Sequence, residues 1–212
     1  MRLVAHRKQN TWRHGSWRRA VIFVPTCWLV LWSVSQSLGA AWPPTAELAP
    51  SRQVVITMRA LAYDGNLKAR AGRSVDLTIL YKKGNARSEQ MASTMAKAFG
   101  ALAGTPVSGL PIVVSRLAYG GADALEKWIS TSNTDMLFAC EGLEGELEAI
   151  VRVARKNKVL TVGSTPEHIR KGMSLGVFQI HGRTTILLNL SASRLEGAAF
   201  AADLLRLSTV IR

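Results

Sequence analysis

Apolar positions along this chain switch repeatedly between two spacings, and the alternation predicts an α/β fold. Val54, Val55, Met58, Leu61 and Ala62 recur at helical spacing, with a strand over Val54–Met58 as the alternative. Val75–Tyr81 is rich in β-branched and apolar residues and reads as a strand ended by Gly84-Asn85. Ser88–Ala103 then returns to helical spacing, placing Met91, Met95, Ala98, Phe99 and Leu102 on one face. Pro111–Ser115 is the next strand, with its proline at the start, where the missing donor matters least.

The same alternation continues to the C-terminus. Ala122–Ser130 predicts a short helix that packs Leu125, Trp128 and Ile129. Met136–Cys140 predicts a strand, and Leu143–Lys156 a helix whose Arg155 and Lys156 suit the negative end of its dipole. Val159–Gly163 follows as a strand, and Thr165-Pro166 fits an N-cap with proline at the first helical position. Gly176–His181 and Thr184–Leu190 flank Gly182-Arg183, a two-residue hairpin signal. Leu195–Ile211 reads as a closing helix. The expected architecture is therefore a three-layer α-β-α sandwich. Its sheet is mainly parallel and carries a C-terminal antiparallel hairpin and a closing helix.

The first 41 residues follow a different logic. Met1–Arg19 holds six cationic residues and no acid, Ala20–Leu38 carries no charge, and Gly39-Ala40-Ala41 supplies small residues. That order is an export signal with cleavage expected after Ala41. An uncleaved membrane anchor is the alternative, since 19 uncharged residues approach the roughly 17–25 that span a bilayer. Either way residues 42–212 are expected in the periplasm, with 42–52 as a linker and 53–212 as one domain. Membrane contact is expected only through an uncleaved N-terminal segment.

The leader changes the charge argument. The chain has 27 basic and 14 acidic residues, a net charge of +13. Six of the basic residues lie in the leader, so the remainder has 21 against 14, or +7. No zinc-ligand spacing, basic helix or aromatic–basic interleaving is present, and nucleic acid is excluded as a partner. Cys140 is the single cysteine beyond the leader, so no intramolecular disulfide can form there.

In open α/β sheets ligands bind beyond the carboxyl ends of the strands. The candidate loop residues are accordingly Lys82, Lys83, Asn85, Arg116, Tyr119, Cys140 and Ser164. None belongs to a GxxxxGK[ST] or GxGxxG phosphate loop. Cys140 precedes a helix, but neither His168 nor His181 is placed beside it by the sequence, and two isolated histidines make no zinc site. The expectation is a protein without catalytic residues, metal or cofactor.

From Val75 to Arg212, and most strongly after Asp135, the chain resembles the YfiR-like family. The resemblance rests on Leu160-Thr161-Val162, Gly172, Gly176, Leu188-Asn189, Ala192, Gly197 and Leu204-Leu205-Arg206-Leu207. Two positions depart from the family pattern. Cys140 lies at the far end of the strand where many relatives begin with cysteine, and Gly163-Ser164 replaces an acidic residue. Redox control by a disulfide is therefore not carried over. The resemblance implies a periplasmic protein that restrains an inner-membrane sensor protein such as a diguanylate cyclase, and that pairs with itself as a homodimer. A one-lobed solute-binding component of a transporter is the second reading. It rests on the likeness of Tyr81–Asn85 and Ser88-Glu89 to the first strand–loop–helix of some binding proteins.

Overall fold

A computed structural model describes residues 45–46 and 48–211. The leader read over residues 1–41 lies outside the described residues. The elements run β1 (Thr45–Ala46), α1 (Pro50–Leu61), α2 (Leu67–Ala71), β2 (Val75–Tyr81), α3 (Ala86–Gly100), β3 (Ile112–Ala118), α4 (Ala122–Ser132) and β4 (Met136–Ala139). They continue with α5 (Leu147–Asn157), β5 (Leu160–Gly163), α6 (Pro166–Arg170), β6 (Leu175–Ile180), β7 (Arg183–Asn189), α7 (Leu190–Leu195), α8 (Ala202–Leu207) and β8 (Ser208–Ile211).

Seven strands share one sheet in the order β3-β2-β4-β5-β6-β7-β8, and β1 adds to β6. The pairs β2–β3, β2–β4, β4–β5, β5–β6 and β7–β8 are parallel, whereas β6–β7 is antiparallel. The fold is thus the expected α/β sandwich with an antiparallel hairpin. Its central strands are buried on both faces, as parallel strands between helix layers must be. Along β4 the side chains alternate between two cores: Met136 and Phe138 join α1 and α3, while Leu137 and Ala139 join α4 and α5. Phe99 and Phe138 meet edge to face in the first core, with ring centroids 5.9 Å apart.

Several boundaries differ from the sequence expectation. The hairpin turn is His181-Gly182, because Ile180 pairs with Arg183 and both turn residues take positive φ. That is the backbone a two-residue turn requires. Strand β3 runs on to Ala118, which places Arg116 inside the strand instead of in the loop after it. Helix α5 starts at Leu147, because Gly142 at φ 90° belongs to a turn. The closing helix is only Ala202–Leu207; α7 ends where Gly197 adopts φ 86°, and the β-branched Thr209-Val210-Ile211 pairs in parallel with β7. Extended sheet pairing suits those β-branched side chains better than a helix does.

Candidate functional site

Two features of the topology open a cleft at the carboxyl end of the sheet. From β2 the chain runs to β3 on one side, then returns across to β4 on the other. The loops after β2 and β4 therefore diverge around a topological switch point, where open α/β sheets hold their ligands. Beside it, β5 and β6 are paired only at Val162 and Leu175 before they separate. The gap along β6 is covered from the N-terminal side. Strand β1 pairs with Gln179 and Ile180, and Gln53 of α1 donates its side-chain amide to the Val177 carbonyl at 3.1 Å.

The resulting cleft has a volume of about 600 Å³. Its apolar lining includes Leu48, Met91 and Met95. Its polar lining includes Gln90, Thr94, Ser164 and the ion pair of Arg87 and Glu141, with Nε and Oε2 2.7 Å apart. Arg87 belongs to the first turn of α3 and Glu141 follows β4, so the pair bridges the switch point. Ser164 Oγ is shielded from solvent and has no hydrogen-bond partner among the described residues.

The loops around the cleft are locked by local hydrogen bonds. Asn85 caps α3 by accepting from the Ser88 N–H at 3.1 Å, and Ser88 Oγ accepts from the Lys82 N–H at 2.9 Å. Such caps satisfy helix donors that would otherwise lack partners. Thr165 caps α6 in the same way through the His168 N–H. Gly142 is required because a Cβ there would lie 2.8 Å from Asn85 Nδ2, and its φ is left-handed.

The loop residues expected to bind divide into groups. Ser164 lines the cleft, and Asn85 stands behind it against Gly142. Lys83 and Arg116 instead border a shallower recess of about 400 Å³ with Tyr81, Glu89 and Ala118. Lys82 is exposed. Tyr119 is half-buried, and burial, reinforced by Glu146, pushes its phenol up. Cys140 is fully buried in the first core; burial pushes its thiol up to about 12, with Glu141 adding to the effect. A thiol so disposed is a poor nucleophile.

The histidine with the most unusual surroundings is His168, which is fully buried. Its Nε2 lies 3.4 Å from Glu144 Oε1, and Nδ1 has no partner of good geometry. Burial pushes the ring pKa down despite Glu144 and the nearby Ala139 backbone, which pull it up. Burial acts to raise Glu144. It nevertheless sits below its usual value, because the backbone N–H groups of Glu144 itself and Gly142, with the His168 ring, favour its charge. Ser164 Oγ and His168 Nδ1 both lack partners, so these two atoms do not hydrogen-bond each other. No group of three metal-ligating side chains occurs among the described residues.

The family-motif positions gather elsewhere, around β5. Thr161 donates to Glu196, Gly197 closes α7, and Leu160, Val162 and Leu204 lie in the first core. Leu205 packs at its edge. Asn189 accepts from the Ala192 N–H and donates to the Ile169 carbonyl, which joins β7, α7 and α6. Gly172 adopts φ 102°, and Gly176 leaves room for the Phe178 ring.

Residues 41–209 match the YfiR/HmsC-like family. The chain belongs to this family. A search of curated proteins returns no match. Among solved structures, similarity extends to an ABC domain from Streptococcus pneumonia in complex with L-Trp, at 11% identity and a TM-score of 0.55, covering 77% of this chain and 60% of that one. It extends also to a conserved domain protein from Vibrio cholerae O1 biovar El Tor, at 12% identity and a TM-score of 0.56, covering 79% and 62%. This YfiR/HmsC-like chain thus spans about three-fifths of either structure, and the likeness is one of fold.

The sequence reading missed most of the cleft. Arg87 and Glu141 belong to no motif and are not among the loop residues the sequence singles out. Residues at strand ends were the right signal. Which ends face each other depends on the strand order, which the alternation does not reveal.

Proposed function

We propose that this YfiR/HmsC-like chain is a non-enzymatic regulatory protein of the periplasm that binds an inner-membrane signalling protein, such as a diguanylate cyclase, and holds it inactive. The family match over residues 41–209 carries this reading. The site chemistry agrees with it, since the one described cysteine is buried with a raised pKa and His168 is buried. Leu195 and Leu207, at the ends of α7 and α8, are 51% and 66% exposed and supply apolar contact for a partner or a second copy. To restrain the partner, the protein must bind its inactive state more tightly than its active one. Among the described residues no helix is long and apolar enough to cross a membrane, so attachment would fall to the partner or to the leader.

The test is capture by the tagged full-length chain from gently solubilised native membranes, followed by mass spectrometry and assay of cyclase output. One inner-membrane protein with an external sensor and a cyclase-type output domain, less active when bound, is the expected result. A partner whose output does not respond would defeat the regulator reading.

A one-lobed solute-binding role is the second reading, favoured by the cleft and by the fold shared with a structure holding L-Trp. It predicts capture of transporter subunits instead.

A further inference from the structure

We propose that the cleft at the switch point is a binding site for a small zwitterion with an apolar side group, a free α-amino acid or a dipeptide. This names a ligand class for the binding-protein reading and rests on it. Three observations carry the inference. Position comes first: the cleft lies at the carboxyl ends of β4 and β5, beside the switch point, where β5 and β6 separate after their single pairing at Val162 and Leu175 and β1 pairs with the far end of β6. Its volume of about 600 Å³ falls within the range of roughly 300–1,000 Å³ typical of small-molecule pockets.

Charge comes second. The residues lining the cleft include one cation and one anion, Arg87 and Glu141, 2.7 Å apart, so a ligand with a net charge would leave one of them opposed. A zwitterion satisfies both: its carboxylate takes the Arg87 guanidinium and its ammonium takes Glu141. The existing pair is easily exchanged. The Arg87 side chain is 80% exposed, so little is lost when it turns from Glu141 to a ligand. The charge-assisted bonds formed instead are partly shielded by the cleft and stronger for it.

The third observation is the apolar wall. Met91 and Met95 of α3 line the space together with Leu48. Unbranched thioether side chains adapt to different shapes, so this wall would accept a range of aliphatic or aromatic side groups. Thr94 and Gln90, which line the cleft on the same helix, add neutral polar side chains beside the apolar ones.

The test is calorimetric titration and thermal melting of the full-length chain with L-leucine, L-methionine and leucyl-leucine, each beside its N-acetyl and its C-amide form. The zwitterions should bind and raise the melting temperature, whereas both blocked forms should fail. Preference for the amino acids or for the dipeptide then identifies the source. Arg87→Gln, at a side chain 80% exposed, and Glu141→Gln, at one 24% exposed, should each weaken binding about tenfold or more at temperatures where the variant remains folded, and Lys83→Gln should not. The inference is overturned if no zwitterion binds, if the blocked forms bind equally well, or if both rim variants bind like the parent. Capture of a membrane partner despite such a result would leave the regulator reading standing and remove only the ligand site.

Discussion

Thr161 of β5 donates its hydroxyl to Glu196 at the end of α7, with Oγ1 and Oε1 2.7 Å apart and both residues fully buried. The other carboxylate oxygen accepts from the Thr161 N–H at 2.8 Å and from Ser174 Oγ. Thr161 Oγ1 in turn accepts from the Ser174 N–H at 3.0 Å. Three segments far apart in sequence are thereby joined through one carboxylate. Thr161→Val keeps the shape but deletes a donor to a buried carboxyl group. Leaving such a group short of a partner costs about 1–3 kcal/mol, which should appear as a lower urea midpoint with an unchanged m-value. Midpoints equal to those of the parent would show that the network contributes no net stability.

Glu196 also sets a pH dependence. Burial raises its pKa to about 7, against the hydrogen bonds from Ser174 and Thr161 and the charge of Arg155, which lower it. The folded state therefore holds a proton between the ordinary glutamate range and about 7 that the unfolded chain has released. Stability contributed by this group is full below the unfolded pKa and is lost as pH rises through about 7. The expected loss is on the order of 3 kcal/mol. Glu196→Gln, an analogue of the protonated form, should flatten that decline. Urea titrations from pH 5 to 8 check this, and a parent protein whose stability does not fall more steeply than the variant's would contradict the assignment.

Much of the fold was legible because its signals are local. Buried central strands such as Val75–Tyr81 announce themselves as apolar, β-branched runs, and Met91, Met95 and Phe99 recur at helical spacing. The C-terminus was misread for a physical reason. Leu204 and Leu205 fit a helix, and nothing local shows that Thr209-Val210-Ile211 will find an open edge on β7. Arg87 and Glu141 were invisible as a pair because they follow different strands, Arg87 in the first turn of α3 and Glu141 in the loop after β4, 54 positions apart in the sequence, and meet only through the order β3-β2-β4. Glu196 carries no local signal of its burial, since its partners come from β5 and the turn before β6.

Cys140 gives a direct probe of the core around the switch point. It is fully buried, and burial, with Glu141, raises its thiol pKa to about 12. At neutral pH almost none of it is thiolate, the form that reacts. In a Cys27→Ser background, iodoacetamide should modify Cys140 only when the chain is unfolded in urea, at a rate that tracks the unfolded population. Rapid labelling of the native protein would mean that β4 is open to solvent, and would reopen the nucleophile reading.

Gly163 controls how closely α6 approaches the sheet. A Cβ added there would lie 2.5 Å from His168 Cβ and 3.0 Å from Ile169 Cδ1. His168 Cβ is fixed to the α6 backbone and cannot swing aside as a side-chain tip could. Gly163→Ala must therefore push α6 outward, carrying with it the adjoining Ser164-Thr165 rim of the cleft. Overpacking of this kind costs about 1–3 kcal/mol. The variant should melt lower, and any ligand held between Ser164 and the Arg87–Glu141 rim should bind less tightly. Gly176→Ala is the control for stability alone: its Cβ would lie 2.4 Å from the Phe178 ring in the second core, and it meets α6 only at the tip of the Ile169 side chain, 3.0 Å away. If Gly163→Ala melts like the parent, the contact between α6 and β5 is looser than the geometry requires. Loss of zwitterion binding in Gly163→Ala at temperatures where it remains folded, with binding retained in an equally destabilised Gly176→Ala, would tie the ligand to the Ser164 rim and not to stability at large.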